Sequence, residues 1–351
     1  MYLAPSHTEM TFNRELQISL LSISCVAIAV VNLVCIIVIV NSTKLRRKPP
    51  TILIGNLIGT HMIQGICVLP LYILRIKNPA LVAICDGFYF TYMLTFYSAT
   101  ISVFLLSLDR VLAVILLNSY DKYVTMNNVI KVTVIAWSYI FALCLMPFFK
   151  LERSKALKHS ICTYLQPRAW TIFMLTVNAL IPYVFIVIGY VYVRVKLKKL
   201  SAYFAAAEVT KDGDQRERKK RERRTKKFKK RSKITKLTFL IVFTYGVTWA
   251  PSIIYYLVQH ICTSCIPDKY YQSELKDILS FLMKYINFFD AMIAPVLYCY
   301  FHDEFRHEFK RIILRKEKTI STSSFISDSN AVSTMSTNTF ALKETTSIRS
   351  N

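Results

Sequence analysis

"SLDRVLAVILLNSY", residues 107–120, puts Asp109 and Arg110 side by side directly after the 22 residues Gly87–Leu108, which carry no charge. A soluble core helix can end this way. So can a membrane helix arriving at water, or a charge pair kept at a membrane boundary. The rest of the chain decides between them. Of its 351 residues 54% are hydrophobic and 7 are glycine, and the mean hydropathy is +0.37. That is too apolar for a soluble domain of this length and points to a membrane protein. The opening stretch MYLAPSHTEMTFNRE is polar and lacks the apolar core of a cleavable signal, so the first apolar segment must both target the chain and stay in it.

Runs of about twenty uncharged residues mark membrane helices. They fall at Leu16–Val40, Pro49–Leu74, Gly87–Leu108, Val132–Phe149, Ala169–Val193 and Leu237–Pro267. A seventh run, Ile278–Phe301, carries Lys284 and Asp290 and is needed to place both long basic segments on one side. The expected fold is all-α: a seven-helix bundle over 16–301, preceded by an extracellular N-terminus at 1–15. Residues 196–233 read as a long basic third loop. Residues 302–316 put Phe305, Phe309, Ile312 and Ile313 on one face, as in an amphipathic helix lying on the membrane. Residues 317–351 are rich in Ser and Thr and poor in apolar residues, hence a disordered tail.

The net charge of +24 resolves into topology. Segments 41–48, 109–131, 194–236 and 302–351 share one side and hold 34 of the 45 Lys and Arg. The short basic loop "NSTKLRRKPP", 41–50, has no acid. The positive-inside rule then puts the N-terminus outside and the C-terminus in the cytoplasm of a plasma-membrane protein. The basic run 216–236 has the composition of a nucleic-acid patch but is tethered between two membrane helices, which excludes nucleic acid as its partner. It reads either as a solvated extension near anionic lipid headgroups or as a face for an acidic intracellular partner.

Seven spans with a helix-ending Asp-Arg pair resemble the rhodopsin-like (class A) G-protein-coupled receptors, and the resemblance runs from about residue 16 to 315. "LDRV" stands where that family has its Asp/Glu-Arg-Tyr motif, with Val111 in the Tyr place. "TWAP", Thr248 to Pro251, matches Cys-Trp-x-Pro, and "APVLY", Ala294 to Tyr298, matches Asn-Pro-x-x-Tyr with Ala for Asn. Trp137, Pro182, Tyr190 and Phe305 stand at further family positions. The resemblance implies a switch in which Asp109 holds Arg110 at rest, with Tyr190, Trp249, Pro251, Pro295 and Tyr298 as moving parts and a heterotrimeric G protein docking inside. It also implies a disulfide between Cys85 and Cys162. "CTSC" adds a second pair, Cys262 and Cys265, that reads as a small loop disulfide or as two free thiols. Clusters such as "STSS", 321–324, suit phosphorylation and an arrestin-like adaptor.

Nothing in the sequence suggests an enzyme, a metal site or a cofactor. A transporter or channel predicts internal repeats and several charges along one path, and the chain shows neither. The family's retinal lysine would fall at Phe288, which argues against an opsin. Aminergic members place an aspartate eighteen residues before the motif arginine; here that residue is Tyr92. The expected pocket of Tyr92, Met174, Asn178, Trp249, Tyr256 and Lys284 is aromatic with one cation. It suits an anionic ligand, either a peptide carboxylate or a small acid. Finally, His61 stands where the family has a sodium-binding aspartate, and Ala99 and Ala294 lack the oxygens the family supplies beside it. The expectation is a receptor without sodium binding in which His61 pairs with Asp290 directly or through water; the alternative is a neutral His61 bonded to Asn32, with Asp290 neutral or hydrogen-bonded elsewhere.

Overall fold

In a bilayer every backbone N–H and C=O must be satisfied within the segment, which leaves an apolar run no choice but helix. A computed structural model describes residues 14–116, 119–150, 168–209, 215–262 and 274–313. Its long helices are α1 (Arg14–Asn41), α2 (Pro49–Lys77), α3 (Val82–Ile115), α4 (Met126–Lys150), α5 (168–209), α6 (Gln215–Ile261) and α7 (Glu274–Phe301). The helix α8 (Asp303–Ile313) follows. All seven long helices are apolar enough over their spans to cross a membrane. One-turn helices at Thr43–Arg46 and Tyr120–Tyr123 fill two of the turns. The residues described beyond Phe309, in a second compact unit, are the last turn of α8; the tail 317–351 lies outside the described residues, as does the N-terminal segment 1–13.

The helices run past the apolar stretches because good helix formers continue them into water. Most of the expected third loop is helix. α5 extends to Val209, and α6 begins at Gln215 with a stretch rich in Arg, Lys and Glu, residues of high helix propensity. Only 210–214 between them are undescribed. At its other end α6 stops at Ile261, short of the expected Pro267; Cys262 N closes the last turn on Val258 O at 3.0 Å.

α3 is the central post, packed on α2, α4, α5 and α6, while α7 closes the ring between α6 and α1. Outward faces remain apolar and exposed, as with Ile23, Val26 and Val30 of α1 and Phe185 and Ile188 of α5. Those are the side chains that meet lipid. Two π turns interrupt the α pattern, Gln64–Val68 in α2 and Thr176–Leu180 in α5, and each precedes a proline, Pro70 and Pro182. Proline cannot donate to the preceding turn, and the wider turn absorbs that loss. Gly65, inside the first π turn, lets α1 approach: a Cβ there would lie 2.9 Å from Ile28 Cγ2 and 3.2 Å from Ala29 N. Pro251 and Pro295 lie inside α6 and α7, and Pro147 inside α4.

Between α1, α2, α3 and α7 the end of the bundle away from Arg110 is filled. Tyr72, Phe88 and Phe288 pack with Leu21 and Leu69 in one buried cluster, and Tyr72 stacks on Phe88 with ring centroids 4.7 Å apart. Open space lies on the α5–α6 side of α3.

Candidate functional site

That space is a cavity of ≈ 210 Å³ walled by α3, α5, α6 and α7, at the end of α3 opposite Arg110. Four of the six residues expected at a pocket line it: Tyr92, Trp249, Tyr256 and Lys284. Met174 and Asn178 do not. Both are buried, and Asn178 Nδ2 points at Met174 Sδ, 3.4 Å away. The π turn Thr176–Leu180 widens the helical repeat there and carries Asn178 off the face that Thr171 and Leu175 present to the cavity.

Lys284 is 8% exposed, yet it faces the cavity. Its Nζ donates to Ser280 Oγ at 2.6 Å and stands 6.0 Å from the Tyr256 ring centre. No carboxylate lines the cavity among the described residues. A buried ammonium with no carboxylate among the described residues that line its cavity is expensive unless something anionic arrives. Deeper in, Trp249 stacks on Phe96 at 4.6 Å and 16° and on Tyr245 at 5.8 Å. The Tyr245 hydroxyl hydrogen-bonds Thr100 Oγ1. Sequence reasoning missed two polar residues on this wall, Ser252 and Asn287. Ser252 Oγ lies 2.9 Å from Met283 O and 3.0 Å from Asn287 Oδ1, and Asn287 Nδ2 donates to the Tyr92 hydroxyl at 3.0 Å. The bonds cross from helix to helix, so no spacing along the chain announces them.

At the other end of α3, Asp109 and Arg110 form an ion pair in which both side chains are buried. The hydroxyl of Tyr120 donates to the second carboxylate oxygen of Asp109. Tyr120 opens the one-turn helix after α3, which brings it back under the pair. Tyr190 and Tyr298, the two expected switch tyrosines, do not hydrogen-bond Arg110. Tyr190 stacks on Phe239 at 4.0 Å and accepts from Arg194 at 3.2 Å. Tyr298 is buried and its hydroxyl has no partner. Beside this end His302 caps α8, its Nδ1 accepting from Phe305 N at 3.1 Å. Phe305 is buried as the amphipathic pattern requires, but so is Glu308, 2% exposed, with His307 Nδ1 at 3.5 Å.

Midway along the bundle His61 Nε2 of α2 and Asp290 Oδ2 of α7 approach to 3.3 Å, both side chains at most 2% exposed. The approach is a close contact rather than an aligned hydrogen bond, because neither Asp290 oxygen has a hydrogen-bond donor. Asn32 is not the partner of His61: its Nδ2 donates to Ile28 O and Ala291 O, at 2.8 and 2.9 Å. Ala99 and Ala294 are buried in the same bundle interior. On the α4 side, Trp137 Nε1 donates to Asn56 Oδ1 and Asn56 Nδ2 to Ser102 Oγ, each at 2.7 Å, which ties α4, α2 and α3.

The pattern that unites these features is a family pattern. Residues 31–298 match the family described as 7 transmembrane receptor (rhodopsin family). The chain belongs to that family. It is therefore a multi-pass membrane protein of the rhodopsin-like (class A) G-protein-coupled receptor family. Over 74 residues, 21% of the chain, it is 27% identical to "Octopamine receptor beta-1R" of Drosophila melanogaster and 24% identical to "Octopamine receptor beta-2R" of Chilo suppressalis. Those matches span 13% and 17% of the two receptors' own lengths.

For the cysteines, Cys85 and Cys262 are each disulfide-bonded, and their expected partners Cys162 and Cys265 lie outside the described residues. Cys25, Cys35, Cys67, Cys144 and Cys299 are free thiols within the spans. Cys25 donates to Gly65 O at 3.2 Å, serving a carbonyl of the π turn.

Proposed function

We propose that this receptor recognises a small molecule with an apolar or aromatic body and one anionic group, and passes that binding to a heterotrimeric G protein. Lys284 carries the reading: a buried cation on the cavity wall without a carboxylate among the described lining residues. The aromatic walls supply the area for the body of the ligand. At ≈ 210 Å³ the cavity favours a small acid over the bulk of a peptide. The two octopamine receptors bring a biogenic amine to mind. An amine, however, would meet Lys284 and find Tyr92 at the aspartate's place. The ligand enters from outside and the G protein docks at the Arg110 end, an orientation supported by the Lys and Arg bias toward that end. Disulfides Cys85–Cys162 and Cys262–Cys265 brace the outer face. Phosphorylation of the Ser/Thr-rich tail recruits an arrestin-like adaptor.

The test is nucleotide exchange on G proteins in cells exposed to a panel of small aromatic carboxylic acids and to the matching amines. Acids should activate the unmodified receptor, Lys284→Ala should abolish their effect, and Arg110→Ala should lose signalling with binding retained. Activation by an amine that is indifferent to Lys284→Ala would overturn the anionic ligand.

A further inference from the structure

Along the seam between α1 and α7, two polar rungs are followed by one of sulfur. Ser24 and Tyr285 share a hydrogen bond of 3.2 Å, and Asn32 Nδ2 donates to Ala291 O at 2.9 Å. Further along, the thiols of Cys35 and Cys299 hydrogen-bond each other. Tyr298 is within electrostatic reach of both Cys35 and Arg110, which puts this rung toward the Arg110 end of the bundle. Both thiols are free. We propose that Cys35 and Cys299 are an oxidisable pair, which a peroxide converts reversibly into a disulfide that fastens the Arg110 end of α7 to α1. The pair lies apart from the ligand cavity, and its chemistry does not depend on what fills that cavity.

Burial assigns the two sulfurs different parts. Cys35 is 1% exposed, whereas Cys299 is half-buried beside the exposed Tyr300 and Phe301. Cys299 therefore meets the oxidant first and Cys35 resolves the product. Hydrogen peroxide is small and neutral, so an apolar surround that excludes a charged oxidant admits it. The thiolate is the attacking form. When Cys299 gives up its proton, the Cys35 S–H donates to the sulfur, which offsets part of the cost of a charge in the seam. The Cys299 sulfur bonds to one peroxide oxygen, the O–O bond breaks, and the departing hydroxide takes up a proton as water. Cys299 is now a sulfenic acid. The Cys35 sulfur then attacks the Cys299 sulfur, the S–O bond breaks, and a second water leaves with the Cys35 proton. Two thiols are oxidised and one peroxide is reduced to two waters. In the orientation proposed above this end meets the cytoplasm, where the thiol pool reduces the bridge again by exchange. The bridge closes a long stretch of chain, so it restricts the unfolded protein as well as the seam.

The experiment maps thiols in the whole receptor, purified in lipid nanodiscs and exposed to graded hydrogen peroxide. Remaining thiols are blocked with a maleimide, and the digested protein is read by mass spectrometry. The peptides holding Cys35 and Cys299 should appear joined, lighter by two hydrogens, at doses that leave Cys25, Cys67 and Cys144 as thiols. A dithiol reductant should separate them again. In Cys35→Ser the bridge is impossible, and Cys299 should be captured as its sulfenic acid by a dimedone probe. In Cys299→Ser, Cys35 should keep its thiol at the same dose. Amide exchange at Tyr298 to Phe301 should slow on oxidation of the unmodified receptor and recover on reduction. Absence of the joined peptides at doses that already oxidise Cys67 would overturn the proposal and leave the two as small packing residues. Loss of the Cys35 thiol in Cys299→Ser would overturn the order of attack, and a bridge without slower exchange would overturn the fastening of α7. Should either serine variant fail to fold, the joined peptides and the amide exchange of the unmodified receptor decide alone. None of these readouts needs a ligand or a G protein, so failure here is distinct from failure of the nucleotide-exchange test.

Discussion

At the Arg110 end of α3, Asp109 holds Arg110 and also accepts from Tyr120, whereas in mid-bundle His61 and Asp290 face each other at 3.3 Å with no hydrogen-bond donor on the carboxylate. Both pairs are buried, so neither carboxylate can be released to water at small cost. The difference lies in what surrounds them. Asp109 is pinned by two neighbours on its own stretch of chain and can hold one geometry. The mid-bundle pair joins two helices, α2 and α7, and its weak alignment leaves room for a second arrangement. A well-satisfied pair stores a state. A poorly satisfied one between helices reports a change in their spacing.

The largest effect expected follows from the stronger pair. Asp109→Ala strands a buried guanidinium and should cost about 4 kcal/mol of stability, the scale for breaking a buried ion pair by removing one partner. Thermal unfolding of the purified receptor and ligand-independent nucleotide exchange measure it, and both should move, since the released Arg110 becomes available inside. Tyr120→Phe removes one donor only and should cost about 1 kcal/mol. Equal losses for the two variants would erase the distinction between a charge partner and its support.

How much of this was legible in sequence follows from where the partners sit. Asp109 and Arg110 are adjacent and interrupt an uncharged run, so their pairing is visible in the string itself. Seven spans are equally visible, because twenty apolar residues have one fate in a bilayer. His61 and Asp290 could be matched only by aligning helices through the family resemblance. Tyr120 was out of reach, because a short turn after α3 decides that it folds back beneath Asp109. Asn287 and Ser252 depend on the rotation of α6 against α7, and Asn178 was misplaced by a π turn that a uniform helical period does not contain. The charged stretch 215–236 looked like loop since charge marks the membrane boundary, but charge does not end a helix.

For the weaker pair, His61→Leu should cost about 2 kcal/mol by leaving Asp290 alone, and His61→Leu/Asp290→Leu should recover most of it, as paired replacement by apolar side chains commonly does. Melting temperatures in nanodiscs give both values. A double variant less stable than either single one would show that the pair is worth more than its geometry suggests. The unmodified receptor should bind its ligand equally in sodium and in a large organic cation, because an imidazole faces Asp290 at 3.3 Å and Ala99 and Ala294 stand where the family supplies oxygen ligands. Clear sodium dependence would break that part of the comparison.

The smallest effect lies at α8. His302 accepts from Phe305 N through Nδ1, so only the unprotonated ring can cap the helix. Burial pushes its pKa below the ordinary 6.5; Lys48 and Arg110 push the same way, while Glu304 and a backbone hydrogen bond oppose them. A histidine with a depressed value in the folded state binds fewer protons there than when unfolded. Its contribution is therefore fully present above pH 6.5 and falls away as the pH drops from 6.5 toward the depressed value. Docking of α8 should weaken over that window and be level at higher pH. Hydrogen exchange at the amides of Phe305 and Arg306, followed from pH 8 to 5.5 and corrected for intrinsic rates, reads it directly (about 1 kcal/mol at most, the scale of one cap). His302→Asn keeps a capping acceptor without a titrating ring, so its protection should be independent of pH. If the pH dependence survives in His302→Asn, another group titrates there and the histidine cap is not the cause.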